Sequence, residues 1–127
     1  MTLPDLQLYR SNFINKGVQL PLPIVAGTDQ GFPGLSLDRE LELYVQAGLT
    51  PMQAIQTATI TPAQVMKMDK QTGSVEAGKR ADITIVDGDP LNNIREIRKV
   101  TLVIKAGRIY DPVQLHRLVG FIMCGEA

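Results

Sequence analysis

The sequence contains no tryptophan, and only 5% of its residues are aromatic. It therefore offers few flat surfaces on which nucleic-acid bases could stack. It has no excess of either charge: Lys+Arg and Asp+Glu both number 13, for a formal net charge of +0. A phosphate backbone is normally met by a basic stripe, so no nucleic acid is expected as a partner. The single cysteine, Cys124, excludes an internal disulfide and a cysteine-rich zinc site, and fits a reducing cytoplasm. No uninterrupted apolar run approaches the ~20 residues of a membrane span. The opening residues Met1-Thr2-Leu3-Pro4-Asp5 lack the basic and apolar regions of a secretory leader. The expectation is a cytoplasmic protein with no membrane partner. Its 127 residues, 44% hydrophobic, suit one soluble globular domain.

Residues Leu6 to Lys16 have loose helical spacing, and Gly17 would end that helix. Ile24-Val25-Ala26 is a short apolar run without alternation, as expected of a parallel strand covered on both faces. Gly27-Thr28-Asp29 follows, then a loop from Gln30 to Gly34. Leu37, Leu41, Tyr44 and Val45 predict an amphipathic helix over 36–47, with Ser36 as N-cap and Gly48 just past its end. Thr50-Pro51-Met52-Gln53 and Thr61-Pro62-Ala63-Gln64 share one pattern. In each, Thr can cap a helix, Pro takes the first helical position, and Gln reaches back to the Thr amide. Leu49 with Ala54, and Ile60 with Val65, stand where a hydrophobic staple needs them. This capping reading is preferred over phosphorylation of the two Thr-Pro pairs. Helices are predicted over 51–58 and 62–66.

Beyond Asp69 the pattern changes. Residues 72–79 are rich in turn formers, 82–86 read as a strand, and Gly88-Asp89-Pro90 as a turn. Residues 100–105 alternate as a half-buried strand, and Ala106-Gly107 turns it into Arg108-Ile109-Tyr110 as a hairpin. Residues 115–123 form a last helix or a loose apolar tail. Two regions result, 1–70 with strand followed by helices and 71–127 with a small antiparallel β unit and a tail.

Asp29 is the leading candidate for chemistry. It stands just past an apolar strand, at the carboxyl end where α/β folds carry their sites. A carboxylate there can bind a metal or accept a proton from water, or it can simply cap a turn. His116, the one histidine, stands beside Arg117 and reads as a surface or satisfied residue rather than a ligand, and Cys124 has no neighbouring His or Cys in sequence. Asp82, Asp87, Asp89 and Asp111 bracket strands and turns and read as structural. The five methionines are scattered like core filler. Residues 73–79 lack the spacing of a phosphate loop and no helix follows them.

Taken in order, these segments resemble the metal-dependent amidohydrolases, in the branch that includes imidazolonepropionase-like and prolidase-like enzymes. Ala26-Gly27-Thr28-Asp29 is similar to the end of that family's eighth barrel strand. Glu40-Leu41-Glu42-Leu43, Ala47-Gly48-Leu49-Thr50-Pro51, Gln53-Ala54-Ile55 and Ala58-Thr59 resemble the helices after it. Gly73-Ser74-Val75-Glu76-Ala77-Gly78-Lys79-Arg80-Ala81-Asp82 resembles the start of its small β-domain, and Gly88-Asp89-Pro90-Leu91 and residues 103–108 continue the likeness. Asp38 departs from it, standing where a His is expected.

The resemblance implies an α/β chain: the last strand-and-helix part of a (β/α)8 barrel plus a small antiparallel β unit of the flanking sandwich, incomplete as a domain. It implies hydrolysis of amide or other C–N bonds by metal-activated water. Asp29 matches the Asp that binds the metal, zinc first among candidates, and shuttles a proton from the attacking water to the leaving group. The family's His-x-His pair, its bridging Lys or Glu and its further histidines have no counterpart here. One carboxylate does not hold a catalytic divalent ion, which takes about three protein ligands. The chain alone is therefore expected to be inactive and to bind no metal tightly. Open strand edges recruit other chains, so a homo-oligomer or a missing N-terminal barrel portion is the expected partner. Three readings follow: the C-terminal segment of a hydrolase, an oligomeric assembly module derived from one, or half of a split hydrolase.

Overall fold

A computed structural model of the chain describes residues 23–29 and 35–118. The predicted helix over 6–16, the loop at 30–34 and Cys124 lie outside the described residues.

Helix α1 spans Ser36–Gln46 and buries Leu41 and Glu42. Ser36 is its first helical residue rather than its cap: the flanking residue is Leu35, with helical φ and ψ and no capping side chain. The other end follows the prediction. Gly48 takes φ 110, its N–H bonds Val45 O at 3.0 Å, and the Leu49 N–H bonds Tyr44 O at 3.1 Å. These are the two bonds of a Schellman motif, which asks for a left-handed residue where Gly48 stands.

Helix α2 spans Pro51–Thr57 and carries the predicted capping box. Thr50 accepts from the Gln53 N–H, and the Gln53 side chain accepts from the Thr50 N–H. Leu49 and Ala54, the predicted staple, are both buried. Helix α3 departs from its twin. It spans Ile60–Val65, with Thr59 as the flanking residue and no side-chain cap. The reason is continuity: α2 ends only two residues earlier, and the Thr59 carbonyl already accepts from the Ala63 N–H. Pro62 then falls at the third helical position, where no N–H is required. Val65, its supposed staple partner, is 53% exposed.

Residues 23–29 alternate exposed and half-buried side chains, as an extended segment does, but form no strand among the described residues. No described strand lies beside them to form a ladder, and a lone segment cannot satisfy its backbone as a sheet does. Instead the segment lies on the helices. The Ala26 N–H donates to Thr57 O at 2.8 Å, and Ala26 packs against a core centred on Leu41, Ala54 and Ile94.

Gly73 returns the chain past α3. A Cβ there would stand 2.7 Å from Ala63 Cβ and 3.1 Å from Ile60 Cα, so only glycine fits this approach. The sheet follows in antiparallel order β1-β2-β3, with β1 Ile83–Val86, β2 Val100–Lys105 and β3 Arg108–Tyr110. Ile83 pairs with Ile104, Ile85 with Leu102, and Ile104 with Ile109, so these five side chains share one face. Ala106 and Gly107 both have positive φ, at 51° and 76°, as a two-residue type I′ hairpin turn requires. Asp82 braces this turn, its carboxylate accepting from the Ala106 N–H at 2.8 Å and pairing with Lys105 at 2.9 Å. Those two donors, the backbone one first, hold its carboxyl below the ordinary range.

Between β1 and β2 lies a 3₁₀ helix, Ile94–Arg98, which the sequence reading did not anticipate. Its Ile94 is buried against α1 and α2. Helix α4, Pro112–Leu118, packs against β2 and starts at Asp111, whose carboxylate accepts from the Val113 N–H at 2.9 Å. No described helix is long and apolar enough to cross a membrane.

Candidate functional site

The extended segment delivers Asp29 to the surface. Asp29 is exposed and takes φ 47, a left-handed conformation that Asp tolerates better than most residues. The N–H groups of Ala26 and Gly27, just before it, each form a bond to the helices. The first is Ala26 N–H to Thr57 O; Thr57 is itself buried and donates through its hydroxyl to Ala54 O at 2.7 Å. The second is Gly27 N–H to Glu40 Oε1 on α1 at 3.0 Å. The same Glu40 oxygen accepts from the Tyr44 hydroxyl one turn later.

A second polar cluster joins α1 to the 3₁₀ helix. The Glu42 side chain is 5% exposed and accepts from Arg98 at 2.6 Å and from Arg39 at 2.8 Å. Burial pushes its carboxyl up, but the two arginines more than offset this and hold it below its ordinary value. Asp38 nearby is lifted, chiefly by burial; the charge of Arg98 opposes the rise and that of Glu42 adds to it. Asp38 thus sits within a charge cluster rather than as an isolated replacement.

The other acidic candidates brace the fold: Asp82 the hairpin, Asp111 helix α4, and Asp89 the turn where it accepts from the Leu91 and Asn92 N–H groups. Asp87 bonds Lys99 O through its own N–H. His116 lies partly buried in the last turn of α4. Ser74, Glu76, Ala77, Gly78 and Lys79 line an open groove of about 620 Å³ together with Ile60, Gln64, Asp69 and Lys70, and Asp29 is not among its walls. Lys79 in that groove is already engaged by Glu76 at 3.0 Å and by the Ser74 hydroxyl.

Sequence reading missed Glu40 and the Glu42–Arg98 pair. Glu40 shares the acidic run of α1 with Glu42, and nothing in that run separates an anchor from a solvated charge. Arg98 lies 56 residues from Glu42, so no local spacing links them.

Among the described residues no group of three or more His, Cys, Asp or Glu side chains could hold a metal ion. The described part of the chain does not by itself form the metal centre that the resemblance implies.

Comparison with known proteins agrees with this fold. The amidohydrolase family matches residues 12–110. An imidazolonepropionase of Alkaliphilus oremlandii is 32% identical over 102 residues, 74% of this chain and 24% of its own length. Adenine deaminase 2 of a Jannaschia species is 40% identical over 77 residues, 60% of this chain and 12% of its own length. A Xaa-Pro dipeptidase, solved with methionine in its active site, superposes with a TM-score of 0.72 at 33% identity, covering 80% of this chain and 25% of that one. The chain thus spans about a quarter or less of the length of these relatives. With the family pattern running from before the extended segment through β3, this chain belongs to the amidohydrolase family.

Proposed function

We propose that the chain supplies the C-terminal end of a hydrolase that cleaves amide or other C–N bonds, with Asp29 as its catalytic carboxylate. What supports this reading is the position of Asp29: exposed, at the end of an extended segment pinned to two helices, within the stretch that the family matches. In this role Asp29 takes a proton from the attacking water and hands it to the leaving nitrogen. The family generally works with a divalent metal. Asp29 would give one oxygen ligand, and the others would come from outside the described residues. The isolated chain is therefore inactive in this reading.

A second reading is an assembly module without hydrolase function, or one half of a split hydrolase. The apolar side chains left open on the surface favour it: Val25 is 42% exposed, Leu35 55% and Ile109 69%.

The test is a chimera in which this chain replaces the matching quarter of the A. oremlandii imidazolonepropionase. The chimera should retain activity on the parent's substrate. Asp29→Asn should then lower kcat by about 10²–10⁴, the usual share of a positioned acid–base group, with KM little changed. An unaltered kcat in Asp29→Asn refutes the assignment. A folded but silent chimera favours the assembly reading.

A further inference from the structure

Among the described residues one buried side-chain atom has no hydrogen-bond partner, Glu40 Oε2. Burying a carboxylate oxygen without a donor is costly, and such atoms in a native fold call for an explanation. Its sister oxygen supplies one. Oε1 accepts from the Gly27 N–H at 3.0 Å and from the Tyr44 hydroxyl. Tyr44 stands four residues on from Glu40, on the same face of α1, and so steers the carboxylate toward the extended segment. A glutamate needed only for helix propensity would turn its head to water and leave no oxygen stranded.

We propose that Glu40 is a positioning residue: it holds the backbone of residues 26–29 through the Gly27 N–H and thereby sets where the Asp29 carboxylate stands. The inference rests on Asp29 being the reactive carboxylate. Two further observations carry it. The segment has no strand ladder among the described residues, so its bonds to the helices are what place it. Of these bonds, Ala26 to Thr57 joins backbone to backbone, whereas Gly27 to Glu40 depends on a side chain. Second, Asp29 keeps a φ of 47, which a non-glycine residue holds when its surroundings impose it. An anchor two residues upstream is such a constraint.

The test uses the full chain and requires no activity. Amide hydrogen exchange and backbone carbon-13 shifts are recorded for the wild type, Glu40→Ala and Glu40→Gln. In Glu40→Ala, Gly27 exchange should rise about tenfold, the effect of losing one charge-assisted bond, relative to Ala54 in the helix core and Leu102 in the sheet. The Asp29 Cα and Cβ shifts should leave their left-handed values. Glu40→Gln keeps an acceptor oxygen and should restore both signals. Equal increases at Gly27, Ala54 and Leu102, or a Gln variant that behaves like Ala, would overturn the proposal. Should Glu40→Ala not fold, Tyr44→Phe removes the steering hydroxyl and keeps the ring. It should raise Gly27 exchange about two- to threefold with Ala54 unmoved, and no change at Gly27 overturns the proposal. A silent chimera with these signals intact counts against the role of Asp29 and leaves the anchor standing. An active chimera with Gly27 unmoved counts against the anchor alone.

Discussion

Thr50 and Thr61 begin the same four-residue pattern, yet only one is a cap. Thr50 and Gln53 satisfy each other's backbone N–H groups, whereas α3 starts before Thr61 and takes no side-chain cap. The difference comes from the preceding residues. Gly48 breaks the chain cleanly ahead of Thr50, while only Ala58 and Thr59 separate α2 from α3. Replacing a working N-cap by Ala costs about 1 kcal/mol. Thr50→Ala should therefore lower stability by about that amount, and Thr61→Ala by less than about 0.5 kcal/mol. Urea midpoints at constant m separate the two. Equal losses would mean that the second box forms after all. Asp29, the proposed site carboxylate, stands out at this scale only by its position after an apolar run. Glu40 was not legible, because an acceptor for a distant N–H looks in sequence like any exposed helical glutamate.

Elements were legible where one local rule sufficed. The Schellman end of α1, the first capping box, β2 and the hairpin turn are each written in a few adjacent residues. The 3₁₀ helix was not, because its reason for forming is distant: Ile94 completes the core of Leu41 and Ala54, and Arg98 reaches Glu42 on α1. The strand expected at 24–26 lacks the other requirement among the described residues, a neighbour. The Glu42–Arg98 pair gives the joint between α1 and the 3₁₀ helix a pH dependence. The folded pKa of Glu42 lies below its ordinary 4.5, so its ionised form stabilises the fold above about pH 4.5. That contribution is lost as pH falls through the folded value. Asp38 acts with the opposite sign. Its folded pKa lies above 3.8, so its contribution is full below that value and is lost as pH rises through the folded one. Glu76 and Asp82, also held below their ordinary values, act in the same direction as Glu42. Stability should therefore fall on acidification below about pH 4.5, with Asp38 softening the slope. Arg98→Ala leaves a buried carboxylate one donor short and should cost about 2 kcal/mol at pH 7. Arg39, half exposed, should cost under about 1 kcal/mol. Arg98→Ala should also flatten the acid limb, because the folded pKa of Glu42 moves back up. Urea unfolding between pH 3 and 7 at one protein concentration measures all of this, and an acid limb unchanged in Arg98→Ala would sink the assignment.

At the scale of the whole molecule, the question is how so thin a core stands alone. The buried hydrophobic residues among those described are Leu41, Ala47, Leu49, Ala54, Ala63 and Ile94, and three of them are alanines. Fully burying a large aliphatic side chain stabilises by about 1.5–3 kcal/mol, and alanine contributes far less. Against that stand Val25, Leu35, Leu37, Val65, Met66 and Ile109, each more than 40% exposed. The sheet compounds the problem, since β1 and β3 are both edges among the described strands and its apolar face ends in the open Ile109. Exposed edges beside apolar surface pair with further strands. In relatives more than three times as long, the remaining chain has the bulk to cover such surfaces. For the purified chain we propose a second copy as the cover, the alternative being a separately supplied N-terminal barrel portion. The expected outcome is that the purified chain, of 13.9 kDa, runs in light scattering at a multiple of that mass. Its melting temperature should rise with concentration, because association stabilises by mass action. Metal content measured on the same sample after dialysis against zinc should fall well short of one tightly held ion per chain, since Asp29 offers one ligand where about three are required. A monomer with a sharp, concentration-independent transition would show that the open faces are tolerated and that the core is larger than its alanines suggest. One tight ion per chain in a defined oligomer would instead mean that copies share ligands across their interface, and hydrolase assays on the unmodified chain would then become the next measurement.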